Sequence, residues 1–372
     1  MRGNNVLGVL FSNAENDALR DLTDMRTMGS VPFGSRFRMI DYPLSNMVNS
    51  GIDKVAVLTK SNYQSLMDHL GSGKAWDLAK NKNGLFILPP FGNANGEDYK
   101  NKLQALNSMI SFLEKSKEEY VLLSDCDVVC NIDYRDVIAK HIQNKADITV
   151  VYKNAKVPDD IKQLMVLDLD ANDRIKEISI DPNSNEEYKF SLDMYLMRRD
   201  LLIRLVRECV SKNKQSFKVD LIQSNVNRFR MYGYEFSGYS RVISSLKEYF
   251  AASMDLLQKD VSAQLYDTDK PIYTKNRDDM PVMFGEDASV HNSILSHGCV
   301  VEGTVKNSVL FRGVHVAKGC TVENCILMQD TDLGANCKLN YIITDKDVVI
   351  KEGRKLMGFS SYPVYISKGS VV

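Results

Sequence analysis

Over roughly the first 255 residues the apolar positions come in short solid runs, separated by stretches with helical spacing. Val6 to Phe11, Val55 to Leu58, Val121 to Leu123 and Ile148 to Tyr152 are such runs. Each reads as a strand buried on both faces. Between them, Leu103 to Leu113 and Tyr134 to His141 are spaced as helices. Strands alternating with helices predict a mostly parallel sheet with helices on both faces, an α/β domain. Ligands of such sheets sit beyond the carboxyl ends of the strands. Ser245-Leu246-Lys247-Glu248 is a capping-box pattern, and it opens an apolar-periodic helix running to about Leu257. Gln258 to Pro281 is polar and lacks a period, so it reads as a linker.

From Val282 the texture changes to a period of six. Val314, Cys320 and Ile326 form one series, Val316, Val322 and Met328 a second, and Leu327, Leu333 and Leu339 a third. Gly298, Gly303, Gly313, Gly319 and Gly334 fall where corners would lie. Three concurrent hexapeptide series favour a parallel β-helix over a chance pattern in an antiparallel domain. The organisation that follows is an α/β domain over 1–257, a linker over 258–281 and a β-helix over 282–372.

Composition narrows the classes. The chain has 372 residues, with 47 Lys and Arg against 48 Asp and Glu. That balance argues against a general nucleic-acid binder. No apolar run reaches the roughly 20 residues of a membrane-spanning helix. The Val6 to Phe11 stretch is too short for a secretory signal core, so a cytoplasmic protein with no membrane partner is expected. Seven cysteines without a CxxC pair make a zinc site unexpected, and most read as small buried apolar residues. His291, His297 and His315 read as polar surface residues of the β-helix, and Trp76 as packing.

One segment carries an identity. Val31-Pro32-Phe33-Gly34-Ser35-Arg36-Phe37-Arg38-Met39-Ile40-Asp41-Tyr42-Pro43-Leu44-Ser45-Asn46 is followed by Asn49-Ser50-Gly51-Ile52, Trp76-Asp77-Leu78 and Leu88-Pro89-Pro90. Gly238-Tyr239, Ser253-Met254-Asp255-Leu256-Leu257 and Asn292-Ser293-Ile294 continue the likeness. These resemble the ADP-glucose pyrophosphorylase (glucose-1-phosphate adenylyltransferase) family over nearly the whole chain. The resemblance implies a Rossmann-like nucleotidyltransferase domain followed by a left-handed parallel β-helix. It also implies a reaction in which ATP and glucose 1-phosphate give ADP-glucose and pyrophosphate, and a tetramer regulated by small anionic metabolites.

The motifs that would do this chemistry depart from the family pattern. A phosphate-binding loop needs glycines, so that backbone N–H groups can approach the oxygens. Here the loop reads Asn13-Ala14-Glu15-Asn16-Asp17-Ala18-Leu19. The family's glycines are gone, its arginine is Ala18, and Glu15 and Asp17 would repel phosphate. Family lysines fall on Met28 and Asp181, and a family glycine falls on Asp193. The aspartate that helps bind Mg²⁺ aligns with Val242. Asp127 alone matches the family's catalytic aspartate, one residue from the alternative Cys126. Asp125 and Asp127 look like a metal pair in isolation. With their partners lost they read as a solvated acidic turn, and no metal site is expected.

Other cations survive. The family's anion-effector site lies between the domains, and its basic positions match Arg26, Arg38 and Lys54, with Asp68 then His69 at a fourth. In phosphoryl-type transfer the protein mainly positions groups and neutralises charge, so losing those cations should leave little catalysis. The chain therefore resembles the GlgD-type regulatory subunits of the family. It is expected to modulate a catalytic homologue in a hetero-oligomer for glycogen biosynthesis. It requires no cofactor of its own, while Mg²⁺ serves the holoenzyme. The apolar β-helix faces and the helix ending near Leu257 are expected to make subunit contacts. The alternatives are a working Mg²⁺-dependent pyrophosphorylase with a rearranged site around Asp127, and a stand-alone metabolite sensor.

Overall fold

The computed structural model describes residues 5–13, 19–79, 83–90, 99–157, 161, 163–181 and 187–372. The four apolar runs all become strands of one nine-stranded sheet. Tyr120–Asp125, Val6–Phe11, Lys54–Leu58 and Gly84–Leu88 lie side by side in that order and run parallel. The sheet is mixed, however, where a mostly parallel one was expected. Glu187–Arg198 runs antiparallel to Tyr120–Asp125 and to Ile148–Lys156. Met165–Leu169 and Ile175–Ile180 pair antiparallel at its edge. Those edge strands are half-solvated: Ile175 and Ile178 are buried while Lys176 and Glu177 are exposed. They carry no solid apolar run, which is why the sequence pattern missed them.

Helix signals were mostly sound. Asp133 caps Tyr134–Gln143, its side chain accepting the Arg135 N–H. Ser245 accepts the Glu248 N–H at 3.2 Å and starts Leu246–Asp255. The stretch from Leu103 to Leu113 is two helices, Lys102–Ser108 and Ile110–Lys115, broken at Met109. The expected linker contains a helix, Lys259–Leu265, with Val261 and Leu265 buried. Seven residues with two anchors left no period to read. Among the described residues, no helix is long and apolar enough to cross a membrane.

The C-terminal region has three parallel sheets of five short strands each, the arrangement of a left-handed parallel β-helix. Its rungs follow the register Ser289, Thr304, Thr321, Lys338 and Lys355, slightly short of three hexapeptides per coil. All nine residues of the three hexapeptide series are buried. One corner column is Gly298, Gly313, Asp330 and Asp347, each at positive φ. A Cβ at Gly313 would lie 2.2 Å from an Asp330 carboxylate oxygen, so that rung needs glycine for space as well as for conformation.

Outward-facing Val309, Ile326 and Ile343 align on one β-helix face and pack, with Phe311 and Met328, against Phe33, Tyr42, Tyr249 and Phe250. The Tyr249 hydroxyl donates to the Pro32 carbonyl at 2.6 Å. Fully burying a side chain of this kind stabilises by about 1.5–3 kcal/mol, so this seam joins the two domains firmly. One apolar β-helix face and part of the helix ending near Leu257 thus cover each other within the chain, while Met283, Phe284, Met357, Phe359 and Tyr362 stay exposed elsewhere on the β-helix.

Candidate functional site

Two places concentrate charge. The first lies beyond the carboxyl ends of the parallel strands, where Tyr120–Asp125 runs out. Asp125, Asp127 and Asp193 line one cleft with Asn13, Lys102, Gln163, Lys218 and Val242. Lys102, in the first turn of its helix, places its ammonium 2.5 Å from Asp125 Oδ2. Lys218, at the start of Phe217–Ile222, sits 2.7 Å from Asp193 Oδ2 and also donates to the Gln163 carbonyl. Asp193 falls where Glu187–Arg198 bulges, at φ 55°. Its carboxylate also accepts the Tyr195 hydroxyl at 2.8 Å.

The electrostatics follow from that arrangement. Burial pushes the Asp127 carboxyl up to about 6, and the Asp193 charge adds to the effect while Lys102 and Lys218 oppose it. Burial works against Asp193 too, yet Lys218 and Lys102 outweigh it and hold that carboxyl below its usual range. Asp127 Oδ1 is sealed from solvent and has no hydrogen-bond partner among the described residues. Asp127 is thus not the solvated acidic turn that the sequence suggested. Val242 stands directly beside this group, paired in register with Val128. It contributes a methyl surface where the family's second metal-binding carboxylate is expected.

Mg²⁺ does not fit this donor set. A hard cation needs several oxygen ligands with lone pairs to spare. Two of the three carboxylates are engaged by ammonium groups, and the fourth position is a valine. Among the described residues, no group of three or more His, Cys, Asp or Glu is arranged to hold a metal ion. Glu15, Asp17 and Ala18 lie outside the described residues. Asp181, at a family lysine position, accepts the backbone N–H groups of Gln163 and Leu164 and closes a strand end.

The second place is the pocket between the domains. Arg36 and Arg38 come from the loop before Asp41, Lys275 and Arg277 from the segment before the β-helix, and Arg312 and Lys346 from one β-helix corner. Arg38 donates to the Ser65 carbonyl and hydroxyl at 2.5 and 2.9 Å. Burial lowers its guanidinium to about 10, with Arg26 and Arg277 adding to the shift against Asp41. Burial also brings the Lys346 ammonium down to about 7, helped by Arg38 and Arg26 and opposed by Asp345. His69 lines the same pocket but is tied to Asp41 at 2.6 Å.

The sequence-predicted residues separate here. Arg38 lines the pocket. Arg26 lies close to it but is only 4% exposed, and both Asp345 oxygens accept from its Nη2, at 2.8 and 2.7 Å. Asp345 also accepts from the Tyr365 hydroxyl and the Lys346 backbone N–H. Arg26 is therefore a buried tie between the domains. Lys54 is not in the pocket: it bonds Glu118 at 3.1 Å and Ser116 at 3.0 Å, near the Phe112 ring. Trp76 is buried against His69, the β-helix histidines sit at the surface, and all seven cysteines are free and buried, as expected.

Sequence reasoning missed Lys102, Lys218, Arg277, Arg312 and Lys346. For the last two a signal existed. Asp330 N–H bonds the Arg312 carbonyl and Asp347 N–H bonds the Gln329 carbonyl, so Arg312, Gln329 and Lys346 stack in one corner column. Laying the hexapeptides out by coil would have put the two cations together. For Lys102 and Lys218 the signal was the new carboxylate at Asp193, which calls for a neighbouring cation.

With this geometry in hand, comparison with known proteins is informative. Residues 9–259 match the nucleotidyl transferase family, and residues 282–360 match the GlmU-like C-terminal hexapeptide family. The glycogen biosynthesis protein GlgD of Bacillus subtilis (strain 168) is 34% identical over 371 residues, covering 100% of this chain and 98% of that protein. GlgD of Geobacillus stearothermophilus is 37% identical over 320 residues, 86% of this chain and 83% of that one. A glucose-1-phosphate adenylyltransferase of Clostridium perfringens (strain 13 / Type A) is 30% identical over 371 residues, 99% of this chain and 94% of its own.

Proposed function

The chain belongs to the ADP-glucose pyrophosphorylase (glucose-1-phosphate adenylyltransferase) family, GlgD-type members included, and from that premise we propose that it is a regulatory, catalytically impaired subunit acting in glycogen biosynthesis. Its partner is a catalytic homologue that makes ADP-glucose and pyrophosphate from ATP and glucose 1-phosphate, with Mg²⁺ serving that subunit. The two form a cytoplasmic hetero-oligomer, a tetramer by family likeness.

One observation carries this reading: the contrast in how the two charged sites are completed. The strand-end cleft neutralises its own carboxylates with Lys102 and Lys218. The pocket between the domains gathers Arg36, Arg38, Arg277, Arg312 and Lys346. A site that lowers the barrier to phosphoryl transfer must offer cations to the substrate. Among the described residues, Arg20, Lys60 and Lys100 line the wider mouth of the cleft, and the larger group of cations, six in number, is gathered at the domain junction. A small anionic metabolite bridging Arg38 to Arg312 and Lys346 would favour one relative arrangement of the two domains. A partner packed on both domains would feel that preference, since a ligand shifts only states it binds unequally.

Turnover with ATP, glucose 1-phosphate and Mg²⁺ tests the proposal, measured for the chain alone, the catalytic homologue alone and their mixture. Negligible turnover alone, together with altered kinetics of the mixture, is the expected result. Robust turnover by the chain alone overturns it in favour of a rearranged working site. Anion binding with no effect on the homologue overturns it in favour of a stand-alone sensor.

A further inference from the structure

We propose that Lys102 and Lys218 are built-in counter-ions that take the place of a divalent cation in the strand-end cleft, so that this chain holds its three cleft carboxylates without metal. The inference rests on the cleft geometry alone and stands whether or not the chain modulates a partner.

Asp193 raises the negative charge of the cleft. At φ 55° it occupies backbone space for which glycine is the default, although Asp tolerates it better than most residues. The bulge in Glu187–Arg198 turns this carboxylate towards Asp127, whose ionisation it opposes. A third carboxylate beside Asp125 and Asp127 would be strongly unfavourable without cations. The fold supplies two, from unrelated elements. Lys102 reaches Asp125 from the helix after Asn101, and Lys218 reaches Asp193 from across the cleft. Both lysine side chains are about nine-tenths buried, at 8% and 11% exposure. They are internal parts of the cleft, unlike exposed pairs that salt would screen.

An ammonium nitrogen at 2.5–2.7 Å from a carboxylate oxygen stands where a hard cation would have to sit. Ca²⁺ binds its oxygens at about 2.3–2.6 Å and Mg²⁺ at about 2.0–2.1 Å. Cation and ammonium therefore compete for these oxygens, both by position and by charge. Asp127 Oδ1, sealed from solvent and without a hydrogen-bond partner among the described residues, is by itself a single ligand, too few for either ion. Removing the lysines should leave Asp125, Asp127 and Asp193 without counter-ions; as they stand they are not arranged to share a metal ion, so a cation taken up there would have to draw the side chains together.

The test uses Mn²⁺ as the probe and the full-length chain, with free Mn²⁺ followed by electron paramagnetic resonance. The wild-type chain is expected to leave Mn²⁺ free into the millimolar range, and its melting temperature to ignore both Mn²⁺ and EDTA. The double variant K102M/K218M is expected to bind one Mn²⁺ at least tenfold more tightly than wild type, to melt higher with Mn²⁺ than with EDTA, and to lose both properties when D127N is added. A saturable Mn²⁺ site on the wild type that D127N removes overturns the proposal. So does a folded double variant that binds no Mn²⁺. Should the double variant not fold, K218M alone, which frees only Asp193, is expected to gain Mn²⁺ affinity in the same direction, and a folded K218M that binds Mn²⁺ no more tightly than wild type overturns the proposal.

Discussion

The strand-end cleft and the pocket between the domains hold similar numbers of charged groups but complete them in opposite ways. In the cleft each lysine has a carboxylate within hydrogen-bond distance, and the charge is settled within the chain. In the pocket, Arg38 is bound through neutral serine oxygens, and Lys346 is pushed towards neutrality by burial and by its cationic neighbours. The cleft is closed electrostatically, while the pocket keeps six cations against Asp68 on its wall and Asp279, which pairs with Arg312 at 3.4 Å. Counting cations alone does not locate a ligand site. What matters is whether they outnumber their internal partners of opposite charge.

Four experiments would break or sharpen this contrast. The largest effect is expected from Arg26→Ala. It lies beside the pocket cations but is paired with Asp345 through Nη2, as each cleft lysine is paired with an aspartate, so it should behave as a structural tie. Breaking one side of a buried ion pair costs about 3–5 kcal/mol. Denaturant unfolding of the full chain should show a loss of that order, and a loss under 1 kcal/mol would return Arg26 to the anion site. Arg38→Ala should do the reverse. Hydrogen bonds to charged groups contribute about 1.5–3 kcal/mol. Sulfate affinity by calorimetry should therefore fall by roughly 10–100-fold, with a smaller loss of stability than Arg26→Ala, since Arg38 gives up only its two bonds to Ser65. Unchanged sulfate affinity would remove Arg38 from the site.

A smaller effect is expected from pH. The Lys346 ammonium is lowered to about 7 by burial and then by Arg38 and Arg26, so it is charged below that pH and neutral above it. Sulfate keeps its charge throughout the neutral range. Its binding should weaken several-fold as pH rises from 6 to 9, with a proton taken up on binding. Lys346→Arg should flatten the profile, and a flat wild-type profile would contradict the assignment. The same shift affects folding in a fixed direction. The depressed group makes the folded chain gain stability as pH rises from about 7 towards the unfolded lysine range. The smallest effect on sulfate affinity is predicted for Lys54→Met, which should leave it unchanged while lowering stability, because Lys54 is committed to a buried pair with Glu118. A tenfold loss of sulfate binding would show that the pocket extends further than described.

Legibility from sequence tracked how local the cause was. Val314, Cys320 and Ile326 announced the β-helix because each coil repeats the same demand for small apolar residues. Ser245 and Glu248 announced a helix start because the cap is made within four residues. The strands Met165–Leu169 and Ile175–Ile180 were missed because half of each faces water. The sites were harder. Arg26, Arg38 and Lys54 look alike along the chain, yet tertiary placement gives them a buried tie, a pocket wall and a separate buried ion pair. Asp193 was noticed as a lost glycine, while its gain as the partner of Lys218 depends on a bulge and on a helix 25 residues later, neither of which has a local signature.

The Arg26–Asp345 pair also sets a clock on biogenesis. Its members are 319 residues apart. At about 5–20 residues per second, a ribosome needs roughly 16–64 s between making the first and the second. Until Asp345 emerges, Arg26 has no carboxylate to meet, and Phe33, Tyr42 and their neighbours lack the Val309, Ile326 and Ile343 face that covers them. The nascent amino-terminal domain therefore leaves the ribosome with one sticky side. Chains cut short before the fourth coil should be cleared by chaperones and proteases, making the last β-helix coils the quality seal on a domain translated long before them.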